Sequence, residues 1–273
     1  MSDHDHDDHK HGLEFDLERL LEQRRGRRGV LALLGGGSVA AMVATYAPGA
    51  LAQDAICVVD ASETAGPYPG DGSNNAPGNT SNILSESGVV RSDIRSSFGI
   101  STNTAAGIPL TLRIKIGDAG NGCAALPGHA IYVWHCTADG RYSLYTAPDE
   151  NYLRGVQVAD ADGYVTFTTI FPGCYDGRWP HIHFEVYPNL DVATDHRNAV
   201  LTSQFALPAE TCREVYDTAS GYEASIGTFA RISIDSDNVF RDNSDAEMKM
   251  MTPTMTGNIT DGYVAEVTVG VAV

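Results

Sequence analysis

The stretch Leu110-Thr111-Leu112-Arg113-Ile114-Lys115-Ile116 alternates without interruption. Side chains two apart on a strand share a face, so Leu110, Leu112, Ile114 and Ile116 define a buried side, and Thr111, Arg113 and Lys115 the other. Moving outward, the same pattern predicts strands at His129 to Cys136, closed by Asp139-Gly140, and at Gly163 to Ile170, opened by the turn Asp160-Ala161-Asp162-Gly163. Further strands are expected at His181 to Tyr187, Val200 to Ala206, Phe229 to Asp235 and Gly262 to Val273, and only Glu210 to Ala224 reads as helical. Strands at this spacing predict an all-β fold, an antiparallel β-sandwich over residues 109–273 with long ordered loops. Residues 53–108, rich in Gly, Ser, Asn and Pro, are expected to wrap the domain as a loop.

The first 52 residues read as an address. Gln23-Arg-Arg-Gly-Arg-Arg-Gly-Val-Leu-Ala-Leu-Leu turns from charged to apolar, and Ala50-Leu51-Ala52 supplies the small residues of a cleavage site. The apolar run is too short and too glycine-rich for a stable membrane span. Arg27-Arg28-Gly29-Val30-Leu31 resembles a twin-arginine export signal, with Arg24-Arg25 as an alternative pair, so a periplasmic or secreted location is expected. The tract His4-Asp5-His6-Asp7-Asp8-His9-Lys10-His11 is expected to be a solvated tail lost with the signal.

Across 273 residues, 18 Lys and Arg stand against 35 Asp and Glu, a formal net charge of −17. That balance excludes nucleic acid as a partner, because basic side chains supply most of such affinity. A mean hydropathy of −0.17 argues against a polytopic membrane protein. Five cysteines (Cys57, Cys123, Cys136, Cys174, Cys212) in an oxidising compartment predict one or two disulfides, and Cys123 with Cys136, which bracket a strand, is the expected bridge.

Pro180-His181-Ile182-His183-Phe184-Glu185 carries the chemistry. On a strand His181 and His183 present their imidazoles side by side, which suits zinc, copper or iron. Tyr175 lies six residues before His181, in the turn Phe171-Pro172-Gly173-Cys174-Tyr175-Asp176-Gly177-Arg178-Trp179, and Tyr142 ends the turn Asp139-Gly140-Arg141-Tyr142. Glu185 shares the histidines' face and offers a rival two-histidine, one-carboxylate site. Three ligands along one straight strand would spread over roughly 13 Å, too far for one ion.

Taken in order, Trp134-His135, Gly140-Arg141-Tyr142-Ser143, Leu153-Arg154-Gly155, Asp162-Gly163, Thr168-Thr169-Ile170, Pro172-Gly173-Cys174-Tyr175, Gly177-Arg178 and His181-Ile182-His183 resemble the intradiol ring-cleavage dioxygenases, the catechol, hydroxyquinol and protocatechuate enzymes. Arg91-Ser92-Asp93-Ile94-Arg95 is similar to the stretch before that family's first core strand. The six-residue spacing from Tyr175 to His181 is similar to the short loop of its exported bacterial members. The resemblance implies one non-haem Fe(III) ion held by Tyr142, Tyr175, His181 and His183. It also implies catalytic roles for Arg178, Tyr175 and Gln204, and a substrate loop at Gly66-Pro67-Tyr68. Trp179 is a further candidate wall of the pocket, with Tyr152 a weaker one. The implied partners are a small aromatic 1,2-diol and O₂: the diol chelates the iron, the ligand matching Tyr175 leaves as base, and the ring opens between the two hydroxyl-bearing carbons. Arg178 then places fixed positive charge where negative charge builds on the ring. The alternative from a different class is a β-sandwich that binds metal or phenols without turnover.

Overall fold

The computed structural model describes residues 57–99 and 101–273. The expected export segment and the His/Asp tract lie outside these residues. Among the described residues, nine strands form two facing sheets. The first holds β1 (Pro109–Asp118), β2 (Ala124–Ala125), β5 (Tyr164–Ile170), β8 (Thr254–Asn258) and β9 (Gly262–Val271), and the second runs β4 (Arg154–Val158), β3 (Ala130–Trp134), β6 (His181–Tyr187), β7 (Leu201–Ala206).

The alternation that opened the reading is realised: Leu110, Leu112, Ile114 and Ile116 are all buried. They meet Ile131, Val133, Ile182, Phe184, Val186 and Phe205 of the facing sheet, where Phe184 and Phe205 stack with centroids 4.3 Å apart. The sandwich is mixed where a wholly antiparallel one was expected. β9 runs parallel to β1, from Leu110 opposite Tyr263 to Asp118 opposite Val271, while the other named strand pairs are antiparallel.

Three local expectations are corrected. Phe229 to Asp235 is not a strand: Phe229 closes a helix and Ile234–Ser236 is a single 3-10 turn. Phe229 and Ile232, three apart, reach the core from one side of a helical turn, with Phe229 against Trp179 at 5.1 Å. The expected helix at Glu210 to Ala224 is two, α1 (Ala209–Thr218) and α2 (Glu223–Phe229), broken at Gly221, whose φ of +90° a helix cannot continue. A third helix, α3 (Asp245–Met251), begins at a capping box of Ser244 and Glu247.

Cys123 pairs with Cys57, not with Cys136. Its Cα lies 5.7 Å from that of Cys57, whereas the Cys136 thiol is buried and donates to the Gly173 carbonyl.

The second sheet is covered on both faces. All seven residues of β6 and all five of β3 are buried. Opposite the sandwich core, Tyr132, Trp134, Tyr142, Leu144, Tyr145 and Tyr187 gather under the long loops, with Tyr68 and Tyr175 packed against them. The loops thus create a second interior, and the candidate site lies there.

Candidate metal centre

The period of β6 sends His181, His183, Glu185 and Tyr187 to the loop-covered face. In register, His183 stands between Trp134 of β3 and Gln204 of β7. Two turns bring the tyrosines in, and they are fastened to each other: the Gly173 N–H donates to the Thr137 carbonyl at 3.0 Å. Gly173 packs so closely on the Ala138 carbonyl that any Cβ would collide with it. Helix α2 holds the second turn from behind, with Ser225 Oγ accepting from the Cys174 N–H and Thr228 Oγ1 donating to the Cys174 carbonyl.

The four side chains converge. His181 Nε2 lies 3.0 Å from His183 Nε2, 3.1 Å from the Tyr175 hydroxyl and 3.3 Å from the Tyr142 hydroxyl. Two donors each about 2.1 Å from a common ion sit about 3.0–3.4 Å apart at tetrahedral to right angles. The spacing therefore fits a shared metal. The Trp179 carbonyl faces His181 Nδ1, which donates to it and leaves the Nε2 lone pair pointing inward. Burial, then the charge of Arg178, pushes the His181 imidazole well below its usual value, and burial and the neighbouring His181 do the same to His183. Two lone pairs thus face each other with little tendency to share a proton, an arrangement that a cation relieves. Burial, reinforced by Tyr175, holds the Tyr142 phenol well above its ordinary range. A bound multivalent cation reverses that preference and favours the phenolate.

Arg178 is buried beside this cluster. Its Nε donates to Asp237 Oδ2 at 3.0 Å and its Nη2 to Gln204 Oε1 at 2.7 Å. Asp237 is fully buried and also accepts from the backbone N–H groups of Trp179, Val239 and Phe240. Burial alone would raise its pKa, but Arg178 and those donors outweigh it and hold the carboxyl below the usual range. Gln204 passes the restraint on, with Nε2 donating to the Thr64 carbonyl at 2.8 Å.

Residues 95–200 match the family model Dioxygenase_C, described as dioxygenase. The fold is similar to that of an intradiol ring-cleavage dioxygenase from Tetranychus urticae, with a TM-score of 0.60 and 21% identity over 79% of this chain and 95% of that one. It is similar to a second dioxygenase structure at a TM-score of 0.59, with the same identity and coverage. These likenesses show a fold shared with dioxygenases. No curated protein matches it by sequence.

The substrate loop expected from the sequence reaches the cluster. The Gly66 N–H donates to Thr64 Oγ1, and the Tyr68 ring lies 4.9 Å from that of Tyr142. Pro67 is fixed through its carbonyl by Asn74 Nδ2. Trp179 turns away: its indole N–H donates to the Leu207 carbonyl, and its ring packs into a satellite core with Val239, Phe240 and Met251. Glu185 also stays outside the cluster, accepting from the Tyr187 hydroxyl at 2.6 Å and carrying a pKa raised by burial and by Asp71. Tyr152 is buried with Leu153 and Ile170.

Sequence reasoning missed Asp237, the anion that neutralises Arg178. It lies 59 positions away, and no local pattern marks it. It also passed over Arg154 and Trp134 as individual actors, although both stood within quoted motifs.

Proposed function

We propose that this chain is an exported ferric dioxygenase that opens catechol-type rings between their two hydroxyl-bearing carbons. The observation that carries the reading is the convergence of two phenol oxygens and a second imidazole nitrogen within 3.0–3.3 Å of His181 Nε2. Phenolate oxygen and imidazole nitrogen suit a hard, highly charged iron better than thiolate does, and the buried thiols Cys136 and Cys174 point to backbone carbonyls. When bound, Fe(III) supplies Lewis acidity and draws electron density from a chelated diol.

The rest of the chemistry belongs to the protein. Tyr175, the half-buried tyrosine, is placed to take a substrate hydroxyl proton on its Oη. Arg178, fixed by Asp237 and Gln204, offers a preorganised positive charge that needs no reorientation as charge grows on the ring. Tyr68 brings an aromatic face beside Tyr142 for an aromatic substrate to meet. The Cys57–Cys123 bridge suits an oxidising compartment and supports export.

The test is to purify the protein, quantify its iron, record the visible spectrum and add a panel of catechols under O₂. The expected result is about one iron per chain, tyrosinate-to-iron absorption that Tyr142→Phe weakens, and O₂ consumption with ring-opened diacid. Coloured, iron-loaded protein that leaves every diol intact would instead make it a binding protein. Colourless protein holding zinc would end the ferric reading.

A further inference from the structure

We infer that Arg154 is a positioning residue that clamps the substrate loop onto the tyrosine-bearing turn and thereby sets where Tyr68 meets the ring of the diol. The inference deepens the function proposed above and rests on it for the identity of the substrate.

Arg154 is completely buried, and its polar contacts are to hydroxyl and carbonyl oxygens. Its Nε donates to Ser143 Oγ at 2.9 Å, and its Nη2 to the Ser143 carbonyl at 2.9 Å and the Tyr68 carbonyl at 2.9 Å. Its Nη1 donates to the Pro69 carbonyl at 2.7 Å and the Tyr132 hydroxyl at 3.0 Å. All five guanidinium donors are used. Two go to Ser143, the neighbour of candidate ligand Tyr142, and two go to the backbone of the loop bearing Tyr68. One planar group thus fixes the distance between the turn and the loop. A lysine ammonium, with three donors and no fork, cannot span the same set.

Two phenols complete the clamp. The Tyr132 hydroxyl donates to the Pro69 carbonyl at 2.7 Å, and the Tyr145 hydroxyl accepts from the Gly70 N–H at 2.9 Å. The fit is tight, since a Cβ on Gly70 would stand 2.9 Å from Leu144 Cδ1 and 3.1 Å from Arg154 Nη1. The result is seen in the rings, where Tyr68 sits 4.9 Å from Tyr142 and 5.1 Å from Tyr145.

The experiment compares wild type, Arg154→Lys, Tyr68→Ala and the double variant, with iron content measured throughout. Arg154→Lys is expected to raise KM for catechol about ten-fold while kcat falls less than about three-fold, because the loop is displaced and the chemistry retained. Tyr68→Ala should do the same, and the double variant should add less than about two-fold to either, since both changes act through one ring. Hydrogen exchange of the 66–74 amides should accelerate about ten-fold in Arg154→Lys with the β9 amides unchanged. Fully additive KM effects, unchanged loop exchange, or acceleration spread across both sheets would each overturn the clamp, the last showing general fold support only. Should Arg154→Lys fail to fold, Tyr132→Phe carries the same exchange prediction. Absence of ring cleavage in wild type would sink the proposed function, while the exchange arm, which needs no turnover, still decides the clamp.

Discussion

The indole of Trp134 lies flat on the imidazole of His183, with centroids 4.8 Å apart and planes within 5°. Tyr132 also stacks on Trp134 at 4.9 Å, so rings from β3 and β6 pack together and hold the tilt of His183. Its Nδ1 makes no hydrogen bond among the described residues, so this stack, with the edge contacts to Tyr142 and His181, orients the ring.

Trp134→Ala is therefore expected to cost about 3–5 kcal/mol in urea unfolding and, on the function proposed above, to lower iron content, since it opens a cavity behind His183. Trp134→Phe should cost less and keep the iron content proposed above, because the indole N–H has no hydrogen-bond partner among the described residues to lose. Equal metal loss in both variants would show that stacking does not orient His183.

Asp237→Asn removes the negative partner of Arg178 while leaving an amide of the same size. Breaking one half of a buried ion pair leaves an uncompensated charge, so a loss of about 3–5 kcal/mol is expected. The catalytic rate should fall as well, because Arg178 Nε loses its anchor. Denaturation midpoints and kcat with iron-saturated protein check both.

Asp60 predicts a pH dependence. Burial raises its carboxyl from 3.8 to about 7, against the lowering hydrogen bond from Gly270. The folded state therefore holds a proton that the unfolded chain has already released, and stability falls as pH rises from about 4 to 7. Asp60→Asn cannot ionise, so its stability relative to wild type should grow by on the order of 2 kcal/mol between pH 5 and pH 8. A constant difference across that range would refute the assignment.

His135 acts in the opposite sense. Burial lowers its imidazole from 6.5 to about 4, with Nε2 against Thr169 Oγ1. The unfolded chain takes up a proton below pH 6.5 that the folded chain refuses, so stability drops as pH falls from 6.5 to 4. His135→Gln should flatten that acid limb in urea titrations.

The Cys57–Cys123 bridge closes a sequence separation of 66 residues. The chain-entropy relation gives about 4 kcal/mol for a loop of that length. Replacing both cysteines with serine should lower stability by up to that amount, and reductant should have no effect on the double variant.

The sequence was most legible where periodicity and burial agree. β1 was read correctly because one of its faces is buried and the other is not. The pairing of His181 with His183 followed from the two-residue period of β6 alone. β4 escaped because buried Arg154 and Gly155 interrupt its apolar pattern, although the sheet covers both. β8, Thr-Met-Thr-Gly-Asn at an edge, is mostly exposed and has no apolar stripe to read. The second interior under the loops was not legible: its walls come from segments far apart, joined by single contacts such as Arg154 to Pro69 and Arg178 to Asp237. The disulfide was misplaced for the same reason, since the partner of Cys123 lies across the sheet and not along the chain.

The parallel pairing of β9 with β1 places the last of the described strands in the middle of its sheet, with β8 beyond it. Until Gly262–Val271 joins the sheet, Leu110 through Ile116 keep one edge unpaired. Removing β9 would take out a keystone and not a fringe, since β8 joins the rest of the sheet through it.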